Sequence, residues 1–471
     1  MRILALDLGT SSVRGLVLDA SARPLPDALA RRRSPLTIGE GGAATIDGRA
    51  YLAALVECID ELSAAGHLDG VELVATSGQW HSVVPLDPDG DPRGPVLTWL
   101  DTRPVAPSGV PGPADPDAFH RRTGTWWHRF YWSVRLPWLR QHSGAGRVRF
   151  AGLVEYLLGQ LLGESVMSIS QASGTGLLDL CTLEWDAEAC ALAGVRRGEL
   201  PVLAPPDWSG RLRPEFAARW PALRPARWAA PTGDGAASNI GCGCYDTRRV
   251  AVTVGTSAAV RLVQYAPAGG QLPPLPGQLW RYRLDHEHVV TGSAFSGGGS
   301  LYAWCRRELR LPEGPDLERA MARIPPSGGH VRADPRLGGD RPPGTAPAGA
   351  GVLAGLGLHT TAVEILAGLM AALCAEVADV VATIESTLDR RVQVALGGGA
   401  VAASVWWRRA FAVALAPREM WHARNPEIGA VGAALVAIGR LDGATGLEPI
   451  VRTDESTSGT TAEDDRWQYP S

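Results

Sequence analysis

The sequence predicts an α/β protein of two related domains, and three observations support this prediction. The chain has 471 residues, which is too many for one ordinary hydrophobic core and enough for two domains of roughly 200 residues each. Residues 3–18 and 250–263 resemble each other, because each is an apolar strand, a Gly-Thr-Ser turn and a second apolar strand carrying an arginine. Strand-like and helical segments then alternate, which is typical of a mostly parallel sheet covered on both faces.

Local patterns place the individual elements in each half of the chain. In the first half they predict a helix at 48–65 with Asp47 as N-cap, a strand at 71–76 and an amphipathic helix at 149–163. In the second half they predict strands at 250–263, 288–293 and 391–396 and helices at 361–387, 404–416 and 428–440. The predicted domains span residues 1–245 and 246–441, and a polar tail at 442–471 has a composition typical of disorder.

Composition excludes several classes of function. The net charge of -4 leaves no basic field that would attract nucleic acid or an anionic membrane. The chain contains no lysine, which excludes a Schiff base and a phosphate loop built on lysine. Phosphate binding must therefore use backbone N–H groups, hydroxyls, arginine or a metal ion.

Cysteine usage and the N-terminus indicate a cytoplasmic protein. The 7 cysteines lack framework spacing, which is typical of reduced thiols, and Cys242 and Cys244 have no second Cys/His pair nearby to complete a zinc site. Asp7 and Arg14 interrupt the first apolar run, so we do not interpret it as a signal peptide. We also find no run of about 18 apolar residues that would span a membrane.

Two glycine turns carry groups suited to phosphate binding. In DLGTSSVR, residues 7–14, the glycine lets phosphate approach the backbone, the hydroxyls that follow offer donors, and Arg14 offers a charged fork. Asp7 ends a buried strand, where a carboxylate is unfavourable unless it meets a partner such as Mg²⁺. The turn at Gly255, Thr256 and Ser257 offers a second set of donors. A plain hairpin with a solvent-facing aspartate would show the same first pattern.

Three further segments supply the remaining candidate groups. GDGAASNIGCG, residues 233–243, holds Asp234 on a thin turn between glycines, which suits a general base in a cleft but also suits a helix N-cap. LGGGAVAASVWW, residues 396–407, joins a strand to a helix and is compatible with a nucleotide or with a plain tight turn. SGQWHS and TWLDTR offer a polyol both hydrogen-bonding groups and an aromatic face, through Gln79, Trp80, His81, Asp101 and Arg103.

These segments together resemble the FGGY family of carbohydrate kinases over about residues 2–440. The resemblance rests on the order of the motifs, which is DLGTSSVR, GQWH, WLDTR, GDG, VTVGTS, LGGGAVAASVWW and PEIGAVGAAL. It implies two actin-like (ribonuclease H-like) domains with ATP and a sugar in the central cleft between them. The implied partner is a small-molecule sugar or sugar acid, neither nucleic acid nor a membrane is implied, and a homodimer is left open.

The resemblance also implies a role for each matching residue. Asp234 would take the proton from the substrate hydroxyl as it attacks the γ-phosphate, and the Mg²⁺ site would involve Asp7 and Asp234. ATP would be held by Thr10, Ser11, Ser12, Arg14, Gly255, Thr256, Gly298, Gly398 and Gly399. The sugar would be held by Gln79, Trp80, His81, Asp101, Arg103, His128 and Asp234.

Two features bear on the substrate and on the nucleotide. The segment SGQWHS combines features of the xylulokinase-like GQMHG and of the gluconokinase-like S-x-M-H-S. Residues 123–139 and 172–186, in contrast, resemble gluconokinase segments. Gluconate is therefore the expected substrate, and xylulose or another polyol is the alternative. The carboxylate of gluconate would pair with Arg103, Arg129 or Arg135. After the adenosine glycines, the Ala-Asp pair that family members often show is missing, which leaves the nucleotide contacts open.

Other functions are also compatible with an actin-like fold. A ROK-type sugar kinase would need further zinc ligands beside Cys242 and Cys244. An actin- or chaperone-like ATPase would not need the sugar-type motifs GQWH and WLDTR. A catalytically silent sugar sensor is supported only by the missing Ala-Asp pair, and the intact Asp7 and Asp234 oppose it.

Overall fold

Each half of the chain builds one large mixed sheet, to which shorter strands and helices attach. The computed structural model describes residues 1–105, 112–142, 148–344, 351–444 and 447–450. The strands of the first half are β1 (Arg2–Leu8), β2 (Ser12–Leu18), β3 (Pro24–Arg33), β4 (Leu36–Ile38), β5 (Ala44–Ile46), β6 (Val71–Gly78), β7 (Val84–Leu86), β8 (Val96–Leu97), β9 (Arg149–Ala151), β10 (Val166–Met167), β11 (Val202–Leu203), β12 (Ser209–Gly210), β13 (Arg227–Ala229) and β14 (Thr232–Gly233). Its helices are α1 (Gly48–Ala64), α2 (Pro116–Thr123), α3 (Trp132–His142), α4 (Leu153–Leu162), α5 (Ile169–Gly174), α6 (Ala187–Leu192), α7 (Pro214–Arg219) and α8 (Asp234–Gly241).

The second half repeats this plan with longer helices. Its strands are β15 (Arg249–Val254), β16 (Ala258–Tyr265), β17 (Trp280–Arg283), β18 (His288–Phe295), β19 (Arg332–Asp334), β20 (Val352–Ala354), β21 (Gln393–Gly397), β22 (Met420–Ala423) and β23 (Leu447–Pro449). Its helices are α9 (Gly299–Glu308), α10 (Pro315–Met321), α11 (Ala362–Ser386), α12 (Gly399–Ala403), α13 (Val405–Ala414) and α14 (Ile428–Ala437).

The two sheets share one arrangement of strands. In the first sheet the order is β12-β13-β6-β1-β2-β3. Written in the same direction, the order in the second sheet is β23-β22-β21-β15-β16-β18-β17. The hairpin β1–β2 has the parallel strand β6 beside its first strand, and the hairpin β15–β16 has β21 in the same place. This correspondence agrees with the repeat in the sequence. Because the hairpins are antiparallel, the sheets are mixed, which corrects the expectation of a mostly parallel sheet.

Helix caps confirm two of the predicted starts. The Asp47 side chain accepts a hydrogen bond from the Ala50 amide at the start of α1. Thr361 and Glu364 form a capping box at the start of α11. By length and composition the helix α11 could cross a membrane, which corrects the expectation that no such apolar run is present, but half of this stretch is buried inside the protein. Its inner face packs in the core of the second half, as expected of a core helix.

A third hydrophobic cluster joins the two halves. It contains side chains of β1, β6 and α8 from the first half and of α14 from the second. The helices α8 and α14 approach so closely that a Cβ atom on Gly432 would lie 1.7 Å from the carbonyl oxygen of Ala237, and one on Gly241 would lie 2.0 Å from that of Ile428. Glycine is therefore required at both positions for this crossing.

Two predicted elements differ from the structure. Residues 149–163 were predicted as one helix, but Arg149–Ala151 pairs with β7 as a strand and the helix begins at Leu153. Residues from 442 onward were predicted to be a polar tail, but Leu447–Pro449 adds an edge strand to the second sheet by pairing with β22. Apolar alternation in these short segments is too brief to separate strand from helix or tail. The rest of the predicted tail, residues 451–471, lies outside the described residues.

Candidate active site

A cavity of about 130 Å³ lies between the two halves, where Asp234 meets the hairpin β15–β16. The first half contributes Trp80, His81, Trp99, Phe130, Tyr131 and Asp234 to its lining. The second half contributes Ser257, Ala259, Arg261, Trp280, Tyr282, Ala294, Arg341 and Pro342. An adjoining cavity of about 380 Å³ shares Trp99, Phe130, Ser257, Arg341 and Pro342 with it. The shared walls make the two cavities neighbouring compartments of one cleft.

Asp234 stands where β14 ends and α8 begins, so that its carboxylate emerges from a turn at the floor of the cavity. The Gly235 amide donates a hydrogen bond of 2.8 Å to its Oδ1 atom. Burial raises the pKa of Asp234 above its usual value, and the guanidinium of Arg261 opposes that increase. Arg261 itself donates to Thr253 Oγ1 at 2.8 Å. A partly desolvated carboxylate beside a cation is suited to accept a proton.

The Trp80 ring lies beneath the turn that carries Asp234. Its Nε1 donates to the Ser170 carbonyl oxygen at 2.9 Å, and the side chain is buried. A Cβ atom on Gly233 would lie 1.9 Å from the ring, and one on Gly235 would lie 2.6 Å from it. The Trp80 ring can therefore pack against this turn only because the residues on both sides of Asp234 lack a side chain. Trp80 shapes the cavity and supports the position of Asp234.

His81 is held in one orientation by the backbone. Its Nδ1 donates to the Gly174 carbonyl oxygen at 2.6 Å, which leaves Nε2 as an acceptor. Burial lowers the pKa of His81 well below its usual value, so the ring is neutral near pH 7. Gln79, in contrast, is buried away from the cavity, where its Oε1 accepts a hydrogen bond from Thr10 at 3.1 Å. Gln79 does not line the cavity at Asp234, and its contact with a sugar stays a prediction.

The first glycine turn offers part of the predicted phosphate site. The Ser11 side chain is exposed, and Thr10 is partly exposed and accepts a hydrogen bond from Trp99 Nε1. Ser12 is buried and accepts from Arg14 Nε at 3.1 Å, so its hydroxyl faces the protein rather than the cleft. Arg14 pairs with Glu427 at 2.8 Å and lies 3.6 Å from Asp7.

The second glycine turn and the glycine cluster are more open. Gly255 and Thr256 are exposed, and a Cβ atom on Gly255 or Gly399 would meet no heavy atom within 4 Å. Gly398 has a φ of 98°, and a Cβ atom there would lie 2.5 Å from the Val254 carbonyl oxygen. Gly298 packs against Ser257 of the turn in the same way. These last two glycines shape the backbone around the turn, and Gly399 leaves open space beside it.

Asp7 is the last but one residue of β1, and the charge of Asp234 acts on it. Burial is the main cause that raises the pKa of Asp7 to about 6, while Arg14 lowers it and Asp234 and Glu427 raise it. No group of three or more His, Cys, Asp or Glu side chains could hold a metal ion within the residues that the structure describes. Mg²⁺ commonly binds proteins through one or two carboxylates together with substrate phosphates, so the predicted site at Asp7 and Asp234 does not need a cluster of three.

Two of the three arginines predicted to bind a carboxylate donate hydrogen bonds to other groups of the protein. Arg103 binds the buried Asp101 through two nitrogens and also covers the Trp138 ring. Arg135 is fully buried and donates to the carbonyl oxygens of Arg129, His81, Thr98, Trp99 and Asp101. Both arginines thus use donors within the protein, and a contact of either with a sugar stays a prediction. Asp101 also accepts from the Ala44 amide, although it borders the larger cavity.

Arg129 and His128 remain at the cleft. Both line the larger cavity and not the smaller one that contains Asp234. Burial lowers the pKa of His128 to about 4, with the positive charges of Arg129 and Arg135 adding to the effect. His128 is therefore a neutral hydrogen-bonding group at physiological pH.

Several cavity residues were not among the predicted site residues. They are Trp99, Phe130, Tyr131, Arg261, Trp280, Tyr282 and Arg341. The sequence contained a signal for Arg261, because it is the arginine that both repeated hairpins carry, and for Trp99, because it belongs to the TWLDTR segment. Arg341 lies in a loop rich in proline and glycine, whose pattern gives no indication of where the side chain will pack.

Comparisons with known proteins agree with this geometry. The gluconokinase of Bacillus subtilis (strain 168) is 25% identical over 359 residues, which cover 72% of this chain and 68% of that protein. The xylulose kinase of Streptomyces rubiginosus is 28% identical over 483 residues, covering 98% and 92%. The crystal structure of ligand-bound xylulose kinase from Lactobacillus acidophilus superposes with a TM-score of 0.82 at 22% identity, covering 96% of this chain and 93% of that one.

Family models account for nearly the whole chain. Residues 2–241 match the N-terminal domain of the FGGY family of carbohydrate kinases, and residues 250–439 match its C-terminal domain. The two matched segments correspond to the two sheets, and the cleft between them contains the cavity at Asp234. The chain therefore belongs to the FGGY family of carbohydrate kinases.

Proposed function

We propose that this carbohydrate kinase transfers the γ-phosphoryl group of ATP to gluconate and forms 6-phosphogluconate, with Asp234 as the general base. The observation that carries the choice of gluconate is the position of the two gluconokinase-like segments. Residues 123–139 contribute His128, Phe130 and Tyr131 to the walls of the cleft. Residues 172–186 include Gly174, which orients His81. One of the two gluconokinase-like segments thus lines the proposed sugar site, and the other holds a residue that lines it.

The proposed chemistry places Asp234 beside the reacting hydroxyl. As the hydroxyl oxygen bonds to the γ-phosphorus, its proton passes to the Asp234 carboxylate and the bond to the bridging oxygen of ADP breaks. Arg261 lowers the pKa of Asp234 against the larger effect of burial, and its positive charge would offset negative charge during the transfer. Phosphoryl transfer needs mainly positioning and charge neutralisation, which these groups can supply.

The proposed phosphate-binding groups are backbone and hydroxyl donors of the two glycine turns. Ser11, Gly255 and Thr256 are exposed, Thr256 lines the larger cavity, and a Cβ atom on Gly399 would meet no heavy atom within 4 Å. Asp7 would hold Mg²⁺, which neutralises phosphate charge in a chain without lysine. Arg14 would hold Asp7 in place, because it already forms ion pairs with Glu427 and Asp7, and it would not bind a phosphate by itself.

The proposal is tested by ADP release with Mg²⁺ and ATP across gluconate, xylulose, ribulose, glycerol and no sugar. We expect gluconate to give the highest kcat/KM. Preference for xylulose would favour the alternative that the xylulose kinase of Streptomyces rubiginosus suggests, since its similarity covers 98% of this chain. Turnover without sugar would indicate an ATPase, and no turnover with any sugar would indicate a sensor. Either of these last two outcomes would contradict the proposed function.

The decrease of kcat/KM on the acid side of its pH profile should begin near pH 6. Asp7 must be ionised to hold a cation, and burial raises its pKa to about 6. Asp234 must also be ionised, and burial raises its pKa too. A raised pKa means that protonation begins at a higher pH, so kcat/KM should fall about tenfold per pH unit below 6 while one of these groups titrates, and more steeply where both do. The check is a profile from pH 4.5 to 8, and a flat profile would contradict the assignment. Excess Mg²⁺ should move this decrease to lower pH, because it competes with protons for Asp7.

The variant Gly233→Ala should lower kcat by about 10- to 100-fold, because its methyl group would collide with Trp80 and displace Asp234. Steady-state kinetics with gluconate would measure this loss. The double variant with Trp80→Met removes the colliding ring atoms and should recover most of the lost rate. If Gly233→Ala alone retained the full rate, the proposed support of Asp234 by Trp80 would be wrong.

A further inference from the structure

Arg341 lies between the two halves of the chain, with its guanidinium stacked on aromatic rings of the first half. Its Cζ atom lies 3.9 Å from the centroid of the Trp99 ring and 5.2 Å from that of Phe130. Stacking occupies the faces of a guanidinium and leaves the N–H groups, which point outward in its plane, free to donate. The rings therefore fix the position of Arg341 without using its hydrogen-bond donors.

The donors of Arg341 have no partner of their own within the described part of the chain. The groups that act on its charge are Tyr282, Tyr131, Arg135 and Asp234, and they act through space without a hydrogen bond. Burial is the main cause that lowers the pKa of Arg341 to about 10. The Arg341 side chain is partly exposed, so a bound anion could reach its N–H groups and pair with it. Because Arg341 lines both cavities of the cleft, such an anion would come from a bound molecule.

The charges around the smaller cavity also favour an anionic ligand. Its lining contains one carboxylate, Asp234, and two guanidinium groups, Arg261 and Arg341. His81 adds no charge near pH 7, because burial lowers its pKa. The lining therefore carries one uncompensated positive charge. A substrate with one carboxylate would neutralise it, whereas a neutral ketose or polyol would not.

The other arginines near the cleft fit this role less well. Arg103 and Arg135 use their donors within the protein. Arg129 lines only the larger cavity, away from Asp234. Arg261 already donates to Thr253 Oγ1 and its charge lowers the pKa of Asp234, although its Nε atom has no hydrogen-bond partner among the described residues. Of the two guanidinium groups that line the same cavity as Asp234, Arg341 is the one whose side chain makes no hydrogen bond in the described structure.

We propose that Arg341 binds the carboxylate of a sugar-acid substrate and thereby selects aldonates over neutral polyols. The planar fork of the guanidinium can donate two parallel hydrogen bonds to a carboxylate, which gives both affinity and orientation. The end of the substrate opposite the carboxylate is then presented to Asp234. This inference rests on the proposed function and adds the group that recognises the acid.

The test is calorimetric binding of gluconate and of D-glucitol, which carries a CH₂OH group in place of the carboxylate, in the absence of nucleotide. The proteins compared are the wild type, Arg341→Met and Arg341→Lys. Loss of a hydrogen bond to a charged group predicts that Arg341→Met weakens gluconate binding about 10- to 100-fold and leaves glucitol binding unchanged. Arg341→Lys keeps the charge but not the fork, so its loss should be smaller. A melting temperature equal to that of the wild type shows that the variants are folded.

The contrary outcomes distinguish this inference from the proposed function. If the wild type phosphorylates gluconate and Arg341→Met binds it equally well, Arg341 is not the recognising group and the proposed function stands. A raised KM for ATP with unchanged gluconate binding would assign Arg341 to a phosphate and overturn the inference. Loss of the preference for acid in Arg129→Met rather than in Arg341→Met would also overturn it. A wild type that binds neutral sugars and no sugar acid would overturn both.

Discussion

Replacing Asp234 with asparagine is expected to lower kcat by about 10²- to 10⁴-fold, because the amide cannot accept the proton of the substrate hydroxyl. The change keeps the shape of the side chain and the hydrogen bond that Oδ1 accepts from Gly235. KM for gluconate and for ATP should therefore change little. The measurement is steady-state ADP release with gluconate, together with the melting temperature of each protein.

The matched control is Asp246→Asn, which removes a carboxylate just beyond α8. Asp246 pairs with Arg248 at the surface and borders neither described cavity at the cleft. Its kcat should stay close to that of the wild type. If Asp234→Asn retained more than about a third of the wild-type kcat, Asp234 would not be the base and the aspartate would be a structural cap. The control separates that outcome from a general effect of charge.

The variant Gly432→Ala is expected to destabilise the whole protein, because its methyl group would collide with the Ala237 backbone at the crossing of α8 and α14. Alanine is ordinarily a better helix former than glycine, so helix propensity alone predicts a gain of about 1 kcal/mol. Forcing the helices apart should outweigh this gain, since overpacking a close contact costs about 1–3 kcal/mol or more. Thermal unfolding should show a melting temperature several degrees lower.

The control for this variant lies in the same helix. A Cβ atom on Gly429 would come no closer than 3.4 Å to another heavy atom, which is ordinary contact. Gly429→Ala should therefore keep or raise the melting temperature, although its neighbour Asp7 makes it unsuitable as an activity control. Equal melting temperatures for Gly432→Ala and the wild type would mean that the two helices can separate without loss.

The sequence predicted the parts of the molecule that depend on local pattern. Both glycine hairpins, the capped helices α1 and α11, and the turn that carries Asp234 have local signals, and the structure contains each of them. The order of the motifs identified the family, and the family models confirm it. Trp80 and His81 were also predicted to shape the sugar site, and both line the cavity at Asp234.

The sequence did not predict which groups the long arginine side chains contact in the folded protein. Arg103 and Arg135 stand in the expected motifs, yet tertiary contacts direct their donors to Asp101 and to backbone carbonyl groups. Arg341 stands in a loop without periodicity, yet it packs on Trp99 across the cleft. Such choices depend on contacts between residues far apart in the chain. The glycine at 432 is similar, because nothing in its own helix requires it.

The position of α14 has a consequence for how the protein is made. This helix comes from the far end of the chain, yet it covers side chains of β1, β6 and α8, among them Ile3, Ala5 and Ile240. During synthesis on a ribosome, the first sheet can pair its strands long before this cover emerges from the exit tunnel. The apolar face then stays open to other nascent chains, which favours aggregation or binding by chaperones. Packing of the first half is therefore complete only after α14 has been synthesised. Because contacts between residues so far apart form slowly, they should limit the rate of folding.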